Sequence, residues 1–140
     1  MSSISHYRKS ANEKNVDDLM VDTTQWDTAL REYTAEITFY KTLLTSDVFE
    51  DKMPNLYERL QEYYTQITEL KNEKIELQEA ILNHKNDLNG MMECEDISCE
   101  SFYHSQHQIL MSRIEKHLSK FRDLKLKIIE FTTPLLKKVD

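Results

Sequence analysis

The chain has very little glycine and proline, with one glycine and two prolines among its 140 residues. Turns depend on these residues for their special backbone angles, so the shortage argues against folds that need many tight turns. No stretch approaches the 18 or so consecutive apolar residues of a membrane-spanning helix. A charged fraction of 31% alongside so few turn formers is typical of long helices. We therefore expect an all-α protein without a membrane span.

The familiar motifs of catalytic sites are also missing. The sequence contains no glycine-rich phosphate-binding loop, no metalloprotease His-Glu motif and no serine in a strand–turn–helix context. Cys99 is the candidate nucleophile, but Glu95, Asp96 and Glu100 surround it and oppose formation of a thiolate. We predict a protein that is not an enzyme and needs no cofactor.

The charge is negative overall and unevenly placed. A net charge of −7 repels phosphate and argues against nucleic acid as the main partner. Residues 111–140 nevertheless carry eight basic and four acidic side chains. This basic segment either balances the acidic helices that it packs between, or presents a docking face for an acidic partner or a membrane.

Three stretches carry apolar residues at alternating spacings of four and three, which is typical of helices that pack side by side. The stripes run from Val16 to Leu44, from Leu56 to Leu88 and from Tyr103 to Leu135. They predict an antiparallel three-helix bundle with long, coiled-coil-like helices. The predicted organisation is a flexible tail over 1–14 and one domain over 15–140, with helices at about 17–46, 54–89 and 98–136.

Matching the stripes layer by layer predicts the register of the bundle. The second and third stripes match when His84 faces His107. The first and second match when Trp26 joins Lys74 and His117 in one polar layer of the core. Since an unpaired buried charge is costly, Lys74 is expected to extend towards solvent, over the Trp26 ring.

The start of the first helix has two alternatives. Asn15 or Asp17 can cap an early start, whereas Asp22 or Thr23 can cap a later one. An early start covers the His84–His107 layer with a third helix. A late start leaves that layer open to water or to a second copy of the protein.

Three histidines near the acidic 90–100 loop are candidate metal ligands. His84, His104 and His107 can converge there, but their spacing matches no common zinc module and no Glu-x-x-His pair accompanies them. The alternative is that they are partly exposed or hydrogen-bonded residues of the bundle.

The same loop predicts an interaction surface. The start of the chain has no apolar core for a secretory signal, so we expect a cytoplasmic protein with Cys94 and Cys99 as reduced thiols. The surface comprises Met91, Met92, Cys94, Cys99 and Phe102. The predicted function is association with a second copy or with another protein's helix. The alternatives are a metal- or ligand-binding bundle and an electrostatic adaptor that presents the basic third helix.

Overall fold

The computed structural model describes residues 14–138 and is an all-α three-helix bundle, as predicted. No helix in that range is long and apolar enough to cross a membrane. The helices are α1 (Val16–Glu32), α2 (Thr34–Leu44), α3 (Leu56–Asp87) and α4 (Ile97–Thr132). Short 3-10 segments follow α3 at Leu88–Glu93 and α4 at Thr133–Leu135. The first predicted helix is thus divided, because Tyr33 forms a turn between α1 and α2.

The first helix takes the early start. The Asp18 backbone N–H donates to Asn15 Oδ1 at 2.9 Å, and the Asn15 N–H donates to Asp18 Oδ2 at 3.1 Å. This reciprocal pair satisfies two backbone donors that a helix end leaves open. The predicted tail over 1–14 lies outside the described residues, except for Lys14.

The link between α3 and α4 contains the one glycine of the chain. Gly90 lies within the 3-10 segment and has no positive φ. A Cβ at this position would come within 2.6 Å of the Tyr103 hydroxyl, so a larger residue there would have to displace the end of that side chain. Asp96 caps α4, because its Oδ1 accepts a hydrogen bond from the Cys99 N–H at 2.8 Å.

The chain divides into two compact units, each built from parts of all three helical stretches. Among the described residues, unit 1 comprises 14–29 and 77–114, and unit 2 comprises 30–76 and 115–138. In unit 1, a core cluster of Leu19, Leu88 and Met91 packs with Val16, Met20, Cys94 and Tyr103. In unit 2, the aromatic contacts include a stacked Tyr33–Phe121 pair and a Tyr63–Phe131 pair.

The predicted register is right for one pair of helices and wrong for the other. His84 meets His107 as expected in unit 1. In unit 2, however, Tyr33 occupies the place beside Lys74 that was predicted for Trp26, seven residues earlier in the chain. A stripe that repeats every seven residues presents the same apolar face after a shift of one heptad, so the pattern alone does not separate the two registers.

Candidate functional site

A hydrogen-bonded network in unit 2 is centred on His117, which is 1% exposed. Its Nδ1 lies 2.5 Å from Glu73 Oε1, and its Nε2 is hydrogen-bonded to the Tyr33 hydroxyl. Because a carboxylate only accepts, Nδ1–H donates to Glu73 and Nε2 accepts from Tyr33. Lys120 approaches the second Glu73 oxygen at 3.3 Å. A neutral imidazole in this tautomer satisfies every partner.

The pKa shifts of Tyr33 and Glu73 favour a structural role for both side chains. Burial, followed by the Glu73 charge, raises the pKa of Tyr33 well above its ordinary value. Burial alone would raise the pKa of Glu73, but hydrogen bonds from His117 and Lys120 lower it overall. The Tyr33 hydroxyl is therefore held as a buried donor, and the Glu73 carboxylate as an acceptor.

The predicted polar layer of Trp26, Lys74 and His117 is wrong for Trp26. Lys74 does not extend to solvent over Trp26. It is 6% exposed, donates to Thr34 Oγ1 at 2.7 Å and has its Nζ 6.0 Å from the Tyr33 ring centroid. Burial, with a smaller effect of the nearby Lys71 charge, lowers the pKa of Lys74.

A second network lies in unit 1 and confirms the predicted contact between His84 and His107. His84 Nε2 is 2.8 Å from His107 Nδ1, and His107 Nε2 is 2.9 Å from Asp22 Oδ2. Lys14 Nζ reaches the same Asp22 oxygen at 2.6 Å. The carboxylate again fixes the direction of the hydrogen bonds, so His107 donates to Asp22 and accepts from His84. Trp26 packs on His107 with the ring centroids 4.6 Å apart.

Sequence reasoning missed the two carboxylates that orient these histidines. Asp22 and Glu73 each stand one position before a stripe residue, Thr23 and Lys74 respectively. One signal could have identified both carboxylates. Each stands next to a polar residue of one stripe and lies opposite a histidine of another stripe.

The predicted metal site of His84, His104 and His107 does not form. Both His107 nitrogens are occupied by His84 and Asp22. His104 lies on a different cavity, with Met91 and Glu100 among its neighbours in the wall. Within residues 14–138, no group of three or more His, Cys, Asp and Glu side chains is placed to hold a metal ion.

The predicted interaction loop is only partly exposed. Met92 and Phe102 are 72% and 58% exposed, whereas Met91 is buried in the unit 1 core. The prediction of reduced thiols is wrong, since Cys94 and Cys99 form a disulfide with their Cα atoms 5.5 Å apart. The Asp96 cap positions Cys99 at the start of α4, five residues from its partner.

We expect the Cys94–Cys99 disulfide to be detectable chemically. Under native, non-reducing conditions iodoacetamide should label neither cysteine, and after reduction it should label both, because only a free thiolate reacts. Intact-mass spectrometry measures the increase in mass from the two added groups. Labelling of both residues without a reductant would show that the bond is absent from the protein in solution.

Two of the five lysine and arginine side chains of α4 in unit 2 form ion pairs with acidic neighbours. Lys120 contacts Glu73 at 3.3 Å, and Lys125 contacts Glu36 at 3.2 Å. These two contacts contribute to charge balance within the bundle.

A groove of about 280 Å³ lies between α3 and α4 in unit 1. Phe102 and Ile109, which are 58% and 55% exposed, share one wall with Gln106 and Arg113. Spacings of four, three and four residues place these side chains on one face of α4. The opposite wall is formed by Ala80, Asn83, His84 and Asp87 of α3. The groove therefore has apolar side chains on its α4 wall and a charged residue of opposite sign on each wall.

No protein-family model, curated protein or solved structure matches this chain.

Proposed function

We propose that this chain is a non-enzymatic helical-bundle protein that acts by self-association through the groove of unit 1. The observation that carries the proposal is the pair of apolar side chains, Phe102 and Ile109, that are more than half exposed on one face of α4 beside that groove. Exposed apolar surface next to a concave wall is typical of protein interaction sites. The buried, fully paired Tyr33 and His117 supply no accessible nucleophile, which supports a role other than catalysis.

The charges of the groove favour a second copy of the chain as the partner. α3 and α4 are antiparallel, and His84 faces His107. Asp87 lies three residues from His84 towards the linking loop, and Arg113 lies six residues from His107 in the opposite direction. At a rise of about 1.5 Å per residue, these two charges are about 13–14 Å apart along the helices. A two-fold axis across the groove brings Asp87 of each copy towards Arg113 of the other, which is the self-complementarity that a symmetric dimer requires.

We expect the molar mass from light scattering to rise from that of the 16.7 kDa chain towards twice that value as the protein concentration increases. The Phe102→Asp/Ile109→Asp variant should stay monomeric, because each copy would bury two uncompensated carboxylates at the interface. Since both wild-type side chains are exposed, helix content measured by circular dichroism should not change.

Phe39→Asp is the matched control for this experiment. Phe39 is 59% exposed on α2 in unit 2, and its ring meets that of Tyr40 at a centroid distance of 5.4 Å, as Phe102 meets Tyr103. This variant should associate like the wild type. A wild-type chain that stays monomeric at every concentration would reject self-association, and equal loss in the Phe39 variant would reject the assigned surface.

The cytoplasmic location predicted from the sequence stays a proposal. In the cytoplasm, glutathione and thioredoxin keep thiols reduced, so the Cys94–Cys99 bond would be transient there; an oxidising compartment would keep it closed. Thiol labelling in acid-quenched cell extracts separates the two cases.

A further inference from the structure

An unpaired imidazole nitrogen marks a second site in unit 1. His104 is 8% exposed, and its Nδ1 has no hydrogen-bond partner among residues 14–138. A buried polar atom without a partner is costly, and such an atom in a native protein calls for an explanation. His104 lines a cavity of about 370 Å³. Neither the two histidine networks nor the proposed association surface uses this residue.

Two thioether side chains line the same cavity. Met91 is 5% exposed and also packs in the unit 1 core, whereas Met92 is 72% exposed. Both belong to the short 3-10 segment after α3, and His104 faces them from α4. Methionine has three rotatable bonds, so Met92 can swing its sulfur over the cavity without a change in the fold.

From these donors we propose that the cavity binds a soft monovalent metal ion, Cu(I), through the His104 imidazole and the thioethers of Met91 and Met92. Thioether and imidazole groups are neutral, and soft sulfur ligands select Cu(I), whereas Mg²⁺, Ca²⁺ and Mn²⁺ prefer oxygen ligands. This set differs from the histidine triad that the structure does not form, because it contains one histidine and two thioethers.

The surroundings of the cavity support this choice of metal. The Cys94–Cys99 disulfide removes the thiolates that would otherwise be the strongest sulfur ligands nearby, and leaves the thioethers as donors. The Lys14 ammonium lies at the cavity but is paired with Asp22 at 2.6 Å, so its charge is offset. The Glu100 carboxylate also lines the cavity and favours an incoming cation.

Ag(I) is the first probe, because it has the ligand preferences of Cu(I) without its oxidation chemistry. Isothermal titration calorimetry of the full, non-reduced chain with silver nitrate in chloride-free buffer should show one bound ion per chain. Anaerobic competition between the protein and a chromophoric Cu(I) chelator should show the same stoichiometry. Zinc and magnesium titrations should show no binding at this site. Failure to bind one equivalent of Ag(I) would overturn the proposal.

Substitutions identify the ligands. His104→Gln and Met92→Leu should each weaken Ag(I) binding by about ten-fold or more, since even outer-shell partners of metal ligands are worth 10–100-fold. Met92 is exposed, so its variant keeps the assay valid if His104→Gln perturbs folding. Met53→Leu, in unit 2, is the matched control and should bind as the wild type does. Unchanged binding in Met92→Leu together with an unchanged imidazole NMR signal of His104 on addition of Ag(I) would reject the assigned ligands.

A cysteine control separates thioether from thiolate binding. The Cys94→Ser/Cys99→Ser variant should keep its single Ag(I) site. If this variant loses binding, or if the wild type binds only after reduction, the thiolates are the ligands and the proposed site is wrong. The test of metal binding is independent of the test of self-association, because the metal titration and the light-scattering measurement are separate experiments.

Discussion

Replacing His117 by leucine should lower the free energy of unfolding by about 2–4 kcal/mol. The imidazole accepts from the buried Tyr33 hydroxyl and donates to Glu73. His117→Leu leaves that hydroxyl without a partner, and an unsatisfied buried group costs about 1–3 kcal/mol. The change of side-chain shape in a packed core adds to this loss. Glu73 contributes less, because its side chain is 35% exposed and can be hydrated. Urea denaturation followed by circular dichroism measures the change.

A double-mutant cycle tests whether the hydroxyl causes the loss. In Tyr33→Phe/His117→Leu the orphaned donor is removed together with its acceptor, so the double variant should be less destabilised than the sum of the two single variants. Tyr57→Phe is the control. Tyr57 is 62% exposed, so losing its hydroxyl should change stability by no more than about 0.5 kcal/mol. Additive effects would contradict the assignment of the loss to the Tyr33–His117 hydrogen bond.

Lowering the pH from about 7 to 5 should destabilise the protein through His84 and His107. Burial, followed by the charge of the other histidine, lowers the pKa of His84, although Asp87 opposes this. Burial also lowers the pKa of His107, against the opposing effect of Asp22 and with smaller lowering effects of Lys14 and His104. A proton on His107 Nδ1 would also remove the acceptor that His84 uses.

The sign of the pH dependence follows from these directions. The unfolded chain takes up protons on both histidines near the ordinary pKa of 6.5, whereas the folded chain resists them to lower pH. The stabilisation is therefore fully present above pH 6.5 and is lost as the pH falls through the folded pKa values. Two protons give a slope of at most about 2.7 kcal/mol per pH unit in that window.

Urea denaturation at several pH values and NMR titration of the histidine ring protons measure this behaviour. His84→Gln should reduce the slope by up to about 1.4 kcal/mol per pH unit, since it removes one of the two protons. The ring signals of His84 and His107 should titrate below 6.5 in the folded protein and near 6.5 in urea. Titration of both at or above 6.5 in the folded state would contradict the assigned directions.

Part of the candidate site was accessible from the sequence, but the carboxylates that orient its histidines were not. The stripe positions of His84 and His107 predicted their contact, since each stripe aligns whole layers of an antiparallel pair. Asp22 and Glu73 were not predicted, because a residue beside a stripe can turn either to the core or to solvent. The His104 cavity depends on the 3-10 segment at Leu88–Glu93, which no helical period indicates.

The sequence by itself determined the all-α bundle, the approximate helices and the alignment of α3 with α4. The scarcity of turn-forming residues and three heptad stripes are sufficient for these conclusions, because burying each stripe requires the other two. Only the tertiary structure decided the heptad in which the first helix packs, the turn at Tyr33 and the Cys94–Cys99 bond. A shift of seven residues preserves the apolar pattern. What separates the registers is the pairing of polar side chains such as Tyr33 with His117 and Asp22 with His107, which exists only when the helices are packed together.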